Sequence, residues 1–360
     1  MRILKLFLLT AGLSLLVLAS CDLFTLKPEP GSRNYEWTLD TLYMPMNSLY
    51  SVWGASPDDV WAVGPGGTQY DRLLHYDGTQ WSTYTNEIIW CGGQTLFGFS
   101  ADDIWMGGDA GWRDHGAGIW HYDGNKWEKY YVYNPDEDYW GIDITDIWGN
   151  DPNDVYACGI RGFYNGTNSW WKGFVLHYDG TAWHEIVRTD FNSQFHRIRK
   201  EDDKVYVFSY GINYETGDGD VEFYLVKEDS LEQIYSNKES EIRWADLSSI
   251  DGKVYLIIDS DVYMYKRNRF EQFLHLDNEE FMQHVCGRTE NDIFIPMYDG
   301  IVHYNGTDME YIYRFQDKNL RFASMPLILG KDIFFGILNL ESSVYEMVLH
   351  GRRVEGRSKK

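Results

Sequence analysis

The sequence predicts an all-β chain built from seven similar units, and three observations support this. A strand signature of one charged, one aliphatic and one aromatic residue occurs seven times. Its copies follow one another at intervals of 39 to 51 residues, the range of a four-stranded propeller blade. In four copies an Asp-Gly or Asn-Gly pair, a strong hairpin signal, follows the aliphatic residue after 12 to 24 positions. Together they predict a seven-bladed β-propeller of four-stranded antiparallel blades, closed by the N-terminal strand.

The first residues read as a targeting segment. Arg2 and Lys5 precede an apolar run over 6–18 that is too short to span a bilayer comfortably. The run ends in Leu18-Ala19-Ser20-Cys21, which resembles the bacterial lipobox. We therefore expect a lipoprotein signal peptide over 1–20, lipidation at Cys21 and a linker over 21–33. A plain secretory peptide is the alternative.

This leader predicts an address in the bacterial cell envelope. A lipid anchor would hold the protein at a membrane surface, with the outer membrane or cell surface favoured over the inner membrane. The formal net charge of -23 argues against nucleic acids and anionic lipids as partners. After the linker we expect one propeller domain over 34–354 and a basic tail over 355–360.

Strands A and B of each blade follow from the repeated signature. Strand B is centred on its aliphatic residue, at Val60, Ile104, Val155, Val205, Val254, Ile293 and Ile333. Strand A carries a residue seven positions earlier, at Trp53, Phe97, Trp148, Ile198, Leu247, Cys286 and Pro326.

Strands C and D flank the second turn of each blade. Strand C ends in a His-Tyr pair in four blades, with histidines at His75, His121, His177 and His303. A type I′ turn needs positive φ at both central residues, so we expect it at Asp77-Gly78, Asp123-Gly124, Asp179-Gly180 and Asn305-Gly306. Strand D opens near Trp81, Trp127, Trp183, Leu231, Phe270 and Met309.

Only six of the seven blades have a D strand that follows their strand C in the sequence. The N-terminal segment 34–39 supplies the seventh D strand. Trp37 precedes Trp53 by 16 residues, the same distance that separates Trp81 from Phe97. This spacing places Trp37 in the D position of the last blade, which closes the ring. The tail 352–355 is in register for the same position and is the alternative.

The best-preserved repeat combines Trp53–Gly64, WGASPDDVWAVG, with His75–Trp81, HYDGTQW. It resembles the repeats of secreted bacterial β-propeller proteins, often lipoproteins, that lack an assigned activity. The resemblance is close in blades one to three and partial in blade six. Blades four, five and seven rest on spacing alone.

Candidate functional residues lie where the copies differ. In such blades the A–B and C–D turns share one face, here called the turn face, while the B–C and D–A connections share the opposite loop face. The turn-face connections are short. The loop face carries long insertions in blades one to four, over 86–94, 109–118, 133–144, 160–173 and 211–221.

These insertions hold aromatic and basic residues that the repeat does not require. Clustered on one face, they predict a recognition surface for a sugar or a protein partner. The predicted binding residues are Trp90, Trp112, Arg113, His115, Tyr139, Trp140, Arg161, Tyr164, Trp170, Trp171 and Tyr214. The alternative is that the aromatic residues only pack their own loops.

The sequence contains few residues that indicate catalysis or metal binding. A glycosidase could use paired loop acids, for which the candidates are Asp114, Asp136, Glu137, Asp138, Glu215 and Asp218. The chain also uses acids freely in turns, so no catalytic residue is assigned. The repeated histidines occupy one equivalent position and are predicted scaffold residues, and no metal or cofactor is predicted. Cys158 and Cys286 are expected in strands, and a Cys91–Cys158 bridge is not expected.

These observations favour one function over two alternatives. We expect a non-catalytic envelope lipoprotein that binds a protein partner or glycan through the loop face of blades one to four. One alternative is a carbohydrate-active enzyme, a glycoside hydrolase or lyase, using loop carboxylates. The other is a structural subunit of an envelope complex.

Overall fold

A computed structural model describes residues 31–43, 49–64, 73–84, 92–111, 114–135, 137–212, 219–237, 244–276, 281–282, 284–341 and 345–355. Across these ranges 29 strands form seven antiparallel sheets. The innermost strands contact one another in sequence around a closed ring, which confirms the seven-bladed β-propeller. None of these residues belongs to a helix that is long and apolar enough to cross a bilayer.

Each of the first four blades is a regular four-stranded sheet in the order A, B, C, D. Blade one contains β2 (Ser51–Ser56), β3 (Asp59–Val63), β4 (Leu73–Tyr76) and β5 (Trp81–Thr83). Blade two contains β6 (Gly93–Ser100), β7 (Asp103–Asp109), β8 (Ala117–Tyr122) and β9 (Trp127–Tyr133). Blade three contains β10 (Gly141–Asp151), β11 (Asp154–Tyr164), β12 (Ser169–Tyr178) and β13 (Trp183–Arg188). Blade four contains β14 (Phe195–Glu201), β15 (Lys204–Ile212), β16 (Gly219–Val226) and β17 (Leu231–Asn237).

The last three blades include the seam of the ring. Blade five contains β18 (Ala245–Ile250), β19 (Lys253–Ile258), β20 (Asp261–Lys266) and β21 (Arg269–His275). Blade six contains β22 (Cys286–Thr289), β23 (Asp292–Met297), β24 (Gly300–Tyr304) and β25 (Met309–Arg314). Blade seven contains β26 (Leu320–Phe322), β27 (Leu327–Leu329), β28 (Asp332–Asn339), β29 (Tyr345–Arg353) and the N-terminal β1 (Tyr35–Tyr43). Its inner strand is divided, because β26 and β27 pair separately with β28.

The N-terminal strand closes the ring, as predicted. Strand β1 pairs with β29 along its whole length, and Trp37 lies opposite Gly351. The Trp37 ring packs against Tyr313 of blade six at 5.0 Å between centroids. The alternative of closure by the tail was wrong, because Arg352 and Arg353 belong to β29 itself.

Aromatic side chains join neighbouring blades in the conserved part of the repeat. Trp61 of blade one is buried against Tyr122 and Trp127 of blade two, at centroid distances of 5.0 and 5.5 Å. Trp105 makes the equivalent contacts from blade two to blade three. The repeated tryptophans therefore form the interfaces between blades, where large aromatic rings bury the most area.

The repeated histidines are scaffold residues, as predicted. His75 Nε2 lies 2.6 Å from Asp59 Oδ1, and its ring stacks on Trp61 at 4.2 Å. The same pairing recurs at His121–Asp103, His177–Asp154, His303–Asp292 and His350–Asp332. The last pair, in blade seven, extends the predicted set from four histidines to five.

The C–D turns lie where predicted, but the expected turn type was wrong. Gly78 has φ of 86°, whereas Asp77 is not among the residues with positive φ. Instead Asp77 Oδ1 accepts hydrogen bonds from the backbone N–H groups of Thr79 and Gln80, both at 2.9 Å. The aspartate side chain thus supplies the turn bonds itself, in place of a type I′ backbone.

Candidate functional site

Exposed apolar side chains concentrate on the loop face. Among the described residues, nine large hydrophobic side chains are exposed, and six belong to loop-face connections. These six are Tyr50, Trp140, Tyr164, Phe191, Trp244 and Leu340. The other three, Leu39, Tyr130 and Met309, lie on outer D strands. None of the nine belongs to a turn-face connection, so the two faces differ in the surface they offer a partner.

The structure describes seven of the eleven predicted binding residues. Trp90, Trp112, Arg113 and Tyr214 lie outside the described residues, as do Cys21 and Cys91. His115 belongs to blade two, where it is exposed with φ of 37°. The other six belong to blade three or to the connection that enters it.

Blade three carries a β-hairpin where the sequence predicts a long loop insertion over 160–173. Strands β11 and β12 stay paired up to Tyr164 and Ser169. At the tip, Asn165 Oδ1 accepts hydrogen bonds from the N–H groups of Thr167 and Asn168 at 3.0 and 2.9 Å. This is the bonding pattern of the C–D turns, so the pair Asn165-Gly166 is the sequence signal that distinguishes this hairpin from a loop.

One side of this hairpin and the Trp140 ring packed on it form an aromatic patch, which we define as Trp140, Tyr164 and Trp171. Trp140 and Trp171 meet at 4.8 Å between centroids with ring planes 65° apart. Both rings lie over Gly162, where an added Cβ would come within 2.8 Å of each. Trp140 and Tyr164 remain 58% and 59% exposed. The glycine therefore lets two indoles pack together while one presents most of its surface.

The aromatic patch is tied to the connection between blades three and four. Asn192 Oδ1 accepts a hydrogen bond from the backbone N–H of Trp171 at 3.1 Å, and the backbone N–H of Ser193 donates to the Trp171 carbonyl at 2.9 Å. Phe191, which precedes Asn192, is 43% exposed. These bonds fix the backbone beneath the rings, which lowers the entropy cost of holding a ligand against them.

The opposite side of the hairpin is occupied by internal contacts. Trp170 stacks on Phe163 at 5.8 Å, with an angle of 11° between the rings, and the Lys172 ammonium lies 5.0 Å from the Phe163 ring. Arg161 is fully buried and its guanidinium pairs with Glu137. Arg161 thus lies beneath the surface and holds the connection that leads to Trp140.

Two of the three described candidate acids are engaged in ion pairs. Glu137 also lies 3.3 Å from Arg188, so two arginines share its carboxylate. Asp114 pairs with Lys129. Asp138 is exposed, while Asp136, Glu215 and Asp218 lie outside the described residues. The paired acids Glu137 and Asp114 hold loops in place, which is a different task from acid and base catalysis.

Tyr139 is attached to the loop that precedes it. Its hydroxyl donates a hydrogen bond to Asn134 Oδ1 at 2.7 Å, and its ring packs against the core between blades two and three. Burial raises the pKa of this hydroxyl. These contacts fix Tyr139, the residue that directly precedes Trp140 in the chain.

Asp143 on β10 has an unusual environment. Burial, with a smaller contribution from the nearby charge of Asp109, raises the pKa of its carboxyl to about 7. Its Oδ1 is buried and has no hydrogen-bond partner among the described residues. The same residues contain no group of three His, Cys, Asp or Glu side chains placed to hold a metal ion. Cys158 and Cys286 are free buried thiols whose pKa values burial raises.

Comparisons with known proteins extend the fold assignment. The chain matches no protein-family model, and the search of curated proteins returned no match. Among solved structures it is similar to virginiamycin B lyase from Staphylococcus aureus, with 12% identity and a TM-score of 0.57, over 87% of this chain and 99% of that chain. It is also similar to Pyrococcus horikoshii acylaminoacyl peptidase, with 11% identity and a TM-score of 0.53, over 81% of this chain and 49% of that chain.

These likenesses are structural. At 11 and 12% identity they show a shared propeller fold. Many unrelated functions use one fold, so function has to be argued from the residues of this chain.

Proposed function

We propose that this protein is a non-catalytic binding module of the bacterial cell envelope, anchored through Cys21, that holds a glycan against the loop face at the aromatic patch. The observation that supports this is the uneven distribution of exposed aromatic side chains between the two faces. Exposed, rigidly held indole and phenol rings are the groups on which sugar rings stack and on which binding energy concentrates.

The surroundings of the aromatic patch favour a glycan over a protein partner. Asn165 and Asn168 lie at the exposed hairpin tip, and Asn192 lies beside Trp171. The Oδ1 atoms of Asn165 and Asn192 accept backbone hydrogen bonds, and their Nδ2 groups can donate to the hydroxyl oxygens of a sugar. A protein partner is the alternative outcome of the test below.

The test uses a soluble form that begins after Cys21, applied to a glycan array and to affinity capture. Replacing both Trp140 and Trp171 by alanine should weaken binding of any captured glycan at least tenfold, because both stacking surfaces are lost. Met309→Ala is the matched control, since Met309 is 44% exposed but lies on an outer strand.

Two results would reject the proposal. One is glycan binding that the double variant leaves unchanged. The other is capture of a protein partner with no glycan bound at all. Hydrolysis or elimination of a bound glycan would favour the enzyme alternative, for which the ion-paired Glu137 and Asp114 offer no support.

A further inference from the structure

A cavity of about 340 Å³ occupies the central channel. Inner-strand residues of all seven blades line it. It extends from the loop-face end of the channel, at Tyr50 and Gln94, to the aromatic side chains Trp53, Phe97 and Trp148. The volume is in the range of small-molecule sites. No residue of the aromatic patch contributes to it, so an inference about the cavity stands apart from the proposed function.

The charged residues that line the cavity, Asp146, Arg197 and Arg199, all have charged partners, and one of these partners, Asp246, lies behind the lining. Arg199 forms an ion pair with Asp146, and Arg197 Nε lies 3.1 Å from Asp246 Oδ1. His284 Nδ1 approaches the second oxygen of Asp246 at 2.7 Å. Two guanidinium groups and two carboxylates cancel in charge. The cavity therefore does not favour an anion or a cation, because either would leave a buried charge without compensation.

The arginines are held rigidly and keep hydrogen-bonding capacity. The Arg199 guanidinium lies 4.5 Å from the Trp148 ring, and Nη1 carries its bonds to Asp146 and to the Ile198 carbonyl. Arg197 Nη1 donates to the His196 carbonyl at 3.1 Å. Among the described residues, the hydrogen bonds of both arginines run through Nη1, and Arg197 also approaches Asp246 through Nε, so Nη2 of each can donate to a ligand.

The rest of the lining combines hydroxyl and amide groups with aromatic rings. Gln94, Thr95 and Ser249 supply polar groups, while Trp53 and Phe97 supply apolar ring surface. The charges of the lining and of the carboxylate behind it cancel, so the cavity suits an uncharged ligand. Its guanidinium and hydroxyl groups suit a ring that is polar at its edge, and its aromatic side chains suit a ring that is apolar on its face. A pyranose has this character.

We propose that the channel cavity is a binding site for one neutral sugar unit. Arg197 and Arg199 donate hydrogen bonds to its hydroxyl oxygens, and the aromatic side chains contact its apolar face. The charge-neutral ion network orients these donors. The ligand enters from the loop face, where Tyr50 and Gln94 lie.

The experiment titrates the soluble protein with glucose, galactose, mannose, xylose and N-acetylglucosamine, with gluconate and glucosamine as charged probes. Binding is followed by saturation-transfer NMR and by tryptophan fluorescence, because Trp53 and Trp148 line the cavity. At least one neutral sugar should bind and change the fluorescence. Ser249→Leu, which fills the cavity without touching the ion network, should weaken that binding at least tenfold.

Controls separate this site from the aromatic patch and from misfolding. Ser236→Leu makes the same exchange at an exposed outer-strand position and should leave binding unchanged. Arg199→Gln should weaken binding, whereas the Trp140 and Trp171 double alanine variant should not. Binding of no neutral sugar, preference for gluconate or glucosamine, or full binding by Ser249→Leu would overturn the proposal.

Discussion

Asp143 shows how one buried carboxyl group can carry a pH dependence of its own. Asp143 belongs to the inner strand of blade three, and burial, then the charge of Asp109 of blade two, raises the pKa of its carboxyl to about 7. An unfolded aspartate has a pKa of about 3.9. The folded state therefore favours the protonated form, and ionisation of Asp143 costs stability as the pH rises from about 4 to about 7.

Asp143→Asn should remove this cost. At pH 8 the variant should raise the free energy of unfolding by about 2 to 4 kcal/mol, and at pH 4 it should match the wild type. Denaturant unfolding at several pH values measures the difference. Asp138→Asn, at an exposed position, is the control and should show no such trend. Equal stability of wild type and Asp143→Asn at pH 8 would contradict the assignment.

At the scale of the element, a bulge explains which blades resemble the repeat most closely. Blades one, two, three and six have a register shift between strands A and B next to the A–B turn. Blades five and seven pair regularly, and the shift in blade four lies at the opposite end of strand A, between Phe195 and Arg197. Each bulge next to the A–B turn contains a glycine, at Gly54, Gly98, Gly149 and Gly287. An added Cβ at Gly98 would lie 2.8 Å from the Asp103 carbonyl oxygen and from the Trp53 ring.

Gly98→Ala should therefore destabilise the protein by about 1 to 3 kcal/mol, because the backbone oxygen cannot move away cheaply. Gly141→Ala is the control, since nothing lies within 4 Å of its added Cβ. Thermal unfolding of the two variants compares them directly. If both variants unfold at the wild-type temperature, the bulge does not need a glycine.

The elements differ in how far the sequence could predict them. The aliphatic residue of each strand B is buried in all seven blades. These residues could be predicted because they recur in the sequence with a period of about 45 residues. The sequence predicts a loop insertion in place of the hairpin of blade three, because β11 and β12 extend beyond the length of the repeated strands and the repeat carries no signal there. The Arg197–Asp246 contact joins separate blades, and no local pattern encodes which inner-strand side chains meet across the channel.

At the scale of the whole molecule, closure joins the two ends of the chain. Strand β1 is the outer strand of blade seven, and Tyr35 and Trp37 pack in the core shared with blade six. The spacing of 16 residues from Trp37 to Trp53 predicted this, because the repeat continues across the seam. Without β1, the edge of β29 would be left unpaired.

A variant lacking residues 1–43 should consequently lose stability and self-associate, since it exposes both an apolar seam and an open strand edge. A variant lacking residues 1–30 retains β1 and serves as the control. Light scattering and thermal unfolding distinguish them. A monomeric shorter variant with unchanged unfolding temperature would show that β1 is dispensable for closure.

The route of the chain into β1 also sets an orientation. Arg33 pairs with Asp308 and Glu310 at 2.5 and 2.8 Å, and Gly31 N–H donates to the Asn291 carbonyl at 2.9 Å. Asn291 and Asp308 belong to turn-face connections of blade six, so the chain enters the propeller on that side. The ten residues from Cys21 to Gly31 reach at most about 35 Å. If Cys21 carries lipid, the tether holds the turn face toward the bilayer. The aromatic patch and the loop-face end of the channel then face away from the membrane.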